Sequence, residues 1–273
     1  MKRACFKRVG CVPAIGLGTW GIGGGFWIAD TSRDAEWIEA IKYAVEKGIK
    51  LIDTAEMYGG GHAEELVGRA IRGFARDELF IITKVWPNHA RYDDVIKSAE
   101  ASASRLGTYI DLYLLHWPSD SVPICETIKA FEALVDRGVI RHFGVSNFSL
   151  SQLQEAEACA KKYQLAAVQN HYSLYNRRDE VDVIPYAQAN GIMYIAYTPL
   201  EKGALARDPL LAEIGRKYGI TPVQAALAWY VKRGVVPIPK AERKNHIDEI
   251  AGALGVELSD EDFARISSGV RRG

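Results

Sequence analysis

The sequence has little cysteine, no surplus charge of either sign and no long apolar run, and each shortage excludes a class of protein. Its four cysteines, Cys5, Cys11, Cys125 and Cys159, form no CxxC pair and lack zinc-finger spacing to a histidine. In a reducing cytosol they read as small thiols, buried or at the surface. Lys and Arg number 34 and so do Asp and Glu, for a formal net charge of zero. Binding a phosphate backbone needs a cationic excess on one face, so nucleic acid is not an expected partner. No stretch of 18 apolar residues is present, which argues against a membrane span. The basic start, Met1 to Arg8, is followed by no apolar core of a secretory signal, so a cytoplasmic location is expected. No metal site is expected either.

What is present is the balance of an ordinary globular chain. Hydrophobic residues make up 48% of 273 and charged residues 25%, enough for a core that needs no cross-link. A short β-rich apolar run, a polar turn and an amphipathic helical stretch recur along the chain. The runs are 14–17, 51–55, 79–85, 112–116, 143–146, 167–170, 193–197 and 235–238. Between them, Ala35 to Lys47 places Ile38, Ile41 and Val45 on one helix face, and Ser149 reads as a helix cap. Lys47-Gly48 and Arg137-Gly138 read as helix ends.

Eight βα units with near-continuous apolar strands imply an α/β fold with a parallel sheet buried on both faces. A closed (β/α)8 TIM barrel is the leading expectation and an open doubly wound sheet the alternative. Residues 6–12 around Gly10 suit a β-hairpin that caps the bottom of the barrel. No Pro/Ser-rich linker or charge block divides the chain, so residues 1–273 are expected to form a single domain.

Several strands end in polar residues that the apolar pattern does not call for. These are Asp53, Lys84, His116, Ser146-Asn147, Gln169-Asn170 and Tyr197-Thr198, with Lys240 after the last strand and Tyr58 five residues past Asp53. One such residue is usually a cap, an ion pair or a satisfied core group. So many at one barrel mouth suit chemistry instead. Asp53 and Lys84, on neighbouring strands, can pair, and the Lys84 ammonium is expected to lower the pKa of the Tyr58 phenol. Tyr58 then reads as a general acid, with His116 bonding the same substrate oxygen.

The blocks GLGTW at 16–20, LIDTA at 51–55 with Tyr58, ITK at 82–84, LLHWP at 114–118, GVSNF at 144–148 and IPK at 238–240 resemble the aldo-keto reductase family. The resemblance runs in order from about residue 10 to about residue 255. It implies a (β/α)8 barrel that binds NADPH across its C-terminal mouth, with NADH as a second candidate cofactor. It also implies a catalytic tetrad of Asp53, Tyr58, Lys84 and His116. The implied cofactor contacts are Ser146, Asn147 and Gln169 at the carboxamide, Tyr197 against the ring, and Thr198, Pro199 and Leu200 over the pyrophosphate, together with Gly18, Thr19, Trp20 and Asp53. Residues 16–21 also fit GxGxxG, but more glycines follow where a dinucleotide-binding helix should open, so that reading fails. Asn147-Phe148-Ser149 fits a glycosylation pattern without a compartment to use it.

At the adenine end Lys240, Arg243 and His246 suit a 2′-phosphate. Ala241, His246 and Ile250 stand where the family usually has serine, arginine and asparagine, so NADP preference is expected, with weaker discrimination than the family norm. Trp20, Trp86 and Trp117 match the walls of the family's substrate pocket. The chain ends soon after Ile266-Ser267-Ser268, without the long C-terminal loop of many members, which implies broad tolerance. The expected activity is reduction of aldehydes and some ketones by a monomer acting on small carbonyl compounds. The rival is an NADPH-binding redox sensor with little turnover, and a barrel isomerase or lyase ranks below both. Only a protonated imidazole adds charge, so NADP affinity should fall as pH rises through the histidine range. A dissociation constant that stays flat from about pH 5.5 to about pH 8 would remove His246 from the phosphate site.

Overall fold

Two antiparallel strands, β1 (Arg3–Phe6) and β2 (Gly10–Pro13), precede eight parallel ones in the computed structural model, which describes residues 2–271. The eight are β3 (Gly16–Gly18), β4 (Leu51–Asp53), β5 (Phe80–Val85), β6 (Ile110–Leu115), β7 (Ile140–Ser146), β8 (Ala167–His171), β9 (Met193–Tyr197) and β10 (Val236–Pro237). They pair in chain order. The circle closes where the Gly18 N–H donates to the Pro239 carbonyl at 2.9 Å, beside a parallel bridge from Gly18 to Lys240. Glycine is required at this seam, since a Cβ on Gly18 would lie 2.9 Å from the Ile238 carbonyl oxygen. The arrangement is the expected (β/α)8 barrel, and the open doubly wound sheet is excluded.

Side chains alternate across each strand, so every second residue points into the barrel. The inward set includes Leu51, Phe80, Ile82, Leu112, Leu114, Ala167, Met193, Ile195, Val236 and Ile238, which form one buried cluster. The hairpin covers the lower end of that cluster with Ala4, Phe6 and Val9, as expected. The other parity, including Ile52, Ile81, Tyr113, Val145, Val168 and Tyr194, packs outward against the helices in a second, larger cluster.

The helices follow their sequence signals closely. Asp34–Glu46 buries Trp37, Ile41 and Val45, with Ile38 only partly covered, and Gly48 takes a left-handed φ of 94° just after it. Leu150–Cys159 starts on a Ser149–Gln152 capping box, which satisfies two otherwise orphaned N–H groups.

The cysteines correct the sequence reading, because all four are paired. Cys5 and Cys11 sit directly opposite each other on β1 and β2 and form one disulfide. The second, Cys125–Cys159, ties the first turn of helix Ile124–Asp136 to the last residue of helix Leu150–Cys159. Hairpin register made the first pair neighbours, and packing of consecutive outer helices made the second. Neither is visible in cysteine spacing. Closing a loop of this kind restricts the unfolded chain, typically by about 2–4 kcal/mol. Cys159→Ser should therefore lower unfolding free energy in denaturant titrations by about 2–4 kcal/mol under non-reducing conditions. Equal stability of the variant and the parent without reductant would show that this bond is absent in solution.

Candidate active site

From β4 to β9 the inward row of each strand ends, at the C-terminal mouth, in a polar side chain. Above Leu51 stands Asp53, above Phe80 and Ile82 stands Lys84, and above Leu112 and Leu114 comes His116. The row continues with Ser146 on β7, Gln169 on β8 and Tyr197 on β9. Register staggers these groups, since Asp53 lies opposite Ile82 and Lys84 opposite Leu114. Asp53 and Lys84 are thus not level, and the long lysine side chain spans the step.

Lys84 is fully buried. Its Nζ donates to Asp53 Oδ2 at 2.7 Å, to the Thr54 carbonyl at 2.8 Å and to the Tyr58 hydroxyl oxygen at 3.4 Å. All three of its protons are used. The other Asp53 oxygen accepts from Gln169 Nε2 at 2.7 Å, so the carboxylate is held at both ends. Burial pushes the Asp53 carboxyl up and the Lys84 ammonium down, and their mutual attraction opposes both shifts.

Tyr58 corrects the electrostatic expectation. Burial, with a further contribution from the Asp53 charge, drives its phenol well above the usual tyrosine range. The ammonium that was to lower it is already shared with Asp53 and Thr54. Tyr58 therefore rests protonated. His116 is shifted the other way: burial, then the nearby Lys84 charge, holds its imidazole well below the ordinary range. Its Nδ1 is buried without a partner among the described residues. A bare lone pair is cheaper to bury than an unmet N–H, so the neutral ring carries its proton on Nε2. The Tyr58 and His116 rings meet edge to face at 5.8 Å.

A cavity of about 920 Å³ opens above these groups. Tyr58, His116 and Trp20 line it, as do His246, Glu249 and Ile250 from helix Lys244–Gly252. Gly18, Asp53, Ser146, Asn147, Gln169, Tyr197, Thr198, Pro199, Leu200 and Lys240 line it, as do Trp86 and Trp117. Three expected contacts do not. Thr19 is buried with its hydroxyl donating to the Asp53 carbonyl at 2.9 Å. Lys84 lies beneath the floor. Arg243 is exposed at the residue preceding helix Lys244–Gly252 and is not among the lining residues.

Asn147 has a left-handed φ of 63°. Its Nδ2 donates to the His116 carbonyl at 2.9 Å and its Oδ1 accepts from the Tyr197 hydroxyl at 2.7 Å. The Tyr197 ring is backed by His171, stacked at 5.5 Å between centroids. Glu201 accepts from His171 Nε2 at 3.0 Å. The loop after β9 carries left-handed, non-glycine backbone at Thr198, Glu201 and Lys202, a strain that surrounding structure must hold in place.

Sequence reasoning missed Phe26, Met57, Lys202 and Glu249, all in the lining. Phe26 meets Trp86 edge to face at 5.2 Å. A signal was available there, because Phe26-Trp27-Ile28 puts three large apolar residues in a glycine-rich loop that should be polar. No comparable signal marks Lys202 or Glu249.

The family model for the aldo/keto reductase family matches residues 14–270. The chain belongs to that family. The reductase is 39% identical over 262 residues to methylglyoxal reductase YeaE of Escherichia coli, covering 93% of this chain and 90% of that protein. It is 34% identical to the glyoxal reductase of Bacillus subtilis, covering 94% and 88%. Among solved structures, the thermostable aldo-keto reductase Tm1743 with the inhibitor epalrestat superposes at a TM-score of 0.93, with 43% identity over 98% of this chain and 99% of that one. An aldo/keto reductase from Klebsiella pneumoniae, solved with NADP and acetate, superposes at 0.87 with 36% identity, covering 99% and 96%. The chain is an oxidoreductase of carbonyl compounds.

These shifts carry a sign. A phenol raised by burial stays protonated through neutrality, and a depressed imidazole stays neutral there. The kcat for carbonyl reduction should therefore be level from about pH 6 to about pH 9 and fall only at higher pH. A kcat that declined between about pH 6 and about pH 8 would mean that a group of ordinary pKa supplies the proton.

Proposed function

We propose that this reductase protonates the carbonyl oxygen of an aldehyde or ketone from Tyr58, with His116 Nε2–H bonding the same oxygen. NADPH serves as its hydride source. The observation that carries the proton assignment is the geometry of Tyr58. Its hydroxyl faces the open cavity on one side and lies 3.4 Å from a buried ammonium on the other. As the carbonyl carbon is reduced, its oxygen gains negative charge. The Tyr58 O–H bond breaks, the proton passes to that oxygen and a phenolate remains. Lys84 stabilises this phenolate rather than the resting phenol, and water restores the proton afterwards. His116, neutral throughout, orients the oxygen and spreads its charge.

The residues present fit an extended dinucleotide. Short amide and hydroxyl groups at Ser146, Asn147 and Gln169 suit a carboxamide, and the Tyr197 face suits a flat ring. Thr198, Pro199, Leu200 and Lys202 lie along the middle of the lining, and Lys240 with His246 stands towards an anionic end. Trp20, Phe26, Trp86 and Trp117 surround the reacting end without a charged group. Such walls favour substrates with an apolar body over small polar ones. Relatives named for methylglyoxal and glyoxal reduction support small aldehydes as part of the range.

We read residues 1–273 as one domain working as a monomer, because one barrel supplies every group of the site. No helix among the described residues is long and apolar enough to cross a membrane. The zero net charge disfavours nucleic acid. We place the enzyme in the cytoplasm, where NADPH is regenerated, although its two disulfides would there meet a reducing pool.

Tyr58→Phe tests the proton assignment. Turnover of an aldehyde panel, followed by NADPH absorbance, should drop by roughly 10²–10⁴-fold, with NADPH affinity retained. A variant that kept most of its turnover would assign the proton elsewhere. Parent protein that bound NADPH yet reduced no carbonyl compound would favour a sensing role.

A further inference from the structure

The far end of the cleft is less cationic than its basic residues suggest. Lys240 Nζ lies 2.5 Å from Glu242 Oε1, and the other Glu242 oxygen takes Arg33 Nη1 at 2.9 Å. Arg33 is itself fixed, by Glu36 at 2.8 Å and by lying over the Trp37 ring at 5.4 Å. Burial opposes charge on Glu242, but its contacts with Lys240 and Arg33 hold the carboxyl below the usual carboxylate range. It is ionised at neutral pH. The Glu242 side chain is only 19% exposed against 40% for Lys240, so the lysine is the freer partner. A Cβ at Gly21 would lie 3.0 Å from the Lys240 Nζ, and Lys240 itself lines the cavity. Glu249 adds a second carboxylate to the same end of the lining.

An incoming phosphate and Glu242 thus compete for one ammonium. To bind a dianion fully, Lys240 must loosen from a carboxylate that Arg33 keeps in place, and that carboxylate then repels the phosphate. A ribose with a free 2′-hydroxyl brings no such charge and meets no such competition. Resting on the reading that Lys240 faces the 2′ end of the dinucleotide, we propose that Glu242 is a specificity-determining residue. It acts as a built-in counter-ion for Lys240 and narrows the preference for NADPH over NADH. Arg243 and Lys244, the other cations of this stretch, are exposed and do not line the cavity.

The test is the dissociation constant of each cofactor, read by titration calorimetry, for the parent, Glu242→Gln and Lys240→Met. Glutamine keeps the shape of Glu242, removes its charge and retains one acceptor oxygen, enough for Arg33 or Lys240 but not for both. In Glu242→Gln, NADPH should bind about three- to ten-fold more tightly, as expected for a partly exposed ion pair, and NADH should change by less than about two-fold. The gain should shrink as salt is raised from about 0.05 M to about 0.5 M. Weaker NADPH binding, or equal shifts for both cofactors, would assign Glu242 a structural role and overturn the proposal. Lys240→Met should weaken NADPH and spare NADH. If it spared both, the placing of Lys240 at the 2′ end would be wrong, a failure distinct from that of Glu242 as counter-ion.

Discussion

The ion pair between Lys84 and Asp53 is the constraint around which the top of the barrel is arranged. Two charges removed from water cost several kcal/mol each unless their remaining hydrogen-bonding capacity is met. Here it is met completely. The Thr54 carbonyl and the Tyr58 hydroxyl take the other lysine protons, and Gln169 Nε2 donates to the second Asp53 oxygen. Four separate stretches of chain, around residues 53, 58, 84 and 169, are thereby held in one geometry. The pair is weak evidence for stability and strong evidence for use.

Burial first, and the charges of that pair second, displace Tyr58 and His116 in opposite directions. Both sit in a dry layer that disfavours charge on either ring. The phenol therefore keeps its proton, and the imidazole gains none. The site at rest holds a proton ready on oxygen and a neutral donor beside it. An ammonium waits behind the phenol for the charge that proton transfer leaves. Such preorganisation lowers the cost of rearrangement during the reaction.

At the other end of the cleft the logic is reversed. Lys240, Glu242 and Arg33 form a chain of charges near the surface, where screening keeps each contact weak and exchange with a ligand cheap. The barrel thus places a buried, fully paired lysine beneath the cavity and a more exposed ion pair at its lining. Between them the loop from Thr198 to Gly203 holds strained backbone, with Glu201 anchored to His171 and Ser173.

Much of this was legible in the residues. Near-continuous apolar runs, each giving way to polar residues at its C-terminal end, located Asp53, Lys84, His116, Ser146, Gln169 and Tyr197 at a single mouth. They could do so because where an apolar run stops is a local property that the chain carries with it. Helix caps and the capping hairpin were local in the same sense. What the tertiary structure alone decided depended on distance through space. Register and helix packing joined Cys5 to Cys11 and Cys125 to Cys159. Burial, summed over neighbours from many segments, reversed the expected shift of Tyr58. Chain direction after Lys240 left Arg243 exposed and brought Glu242 back onto the lysine, and only folding put Phe26, Lys202 and Glu249 into the wall. A sequence records which groups exist and which face of a strand they take, but desolvation and pairing belong to the assembled protein.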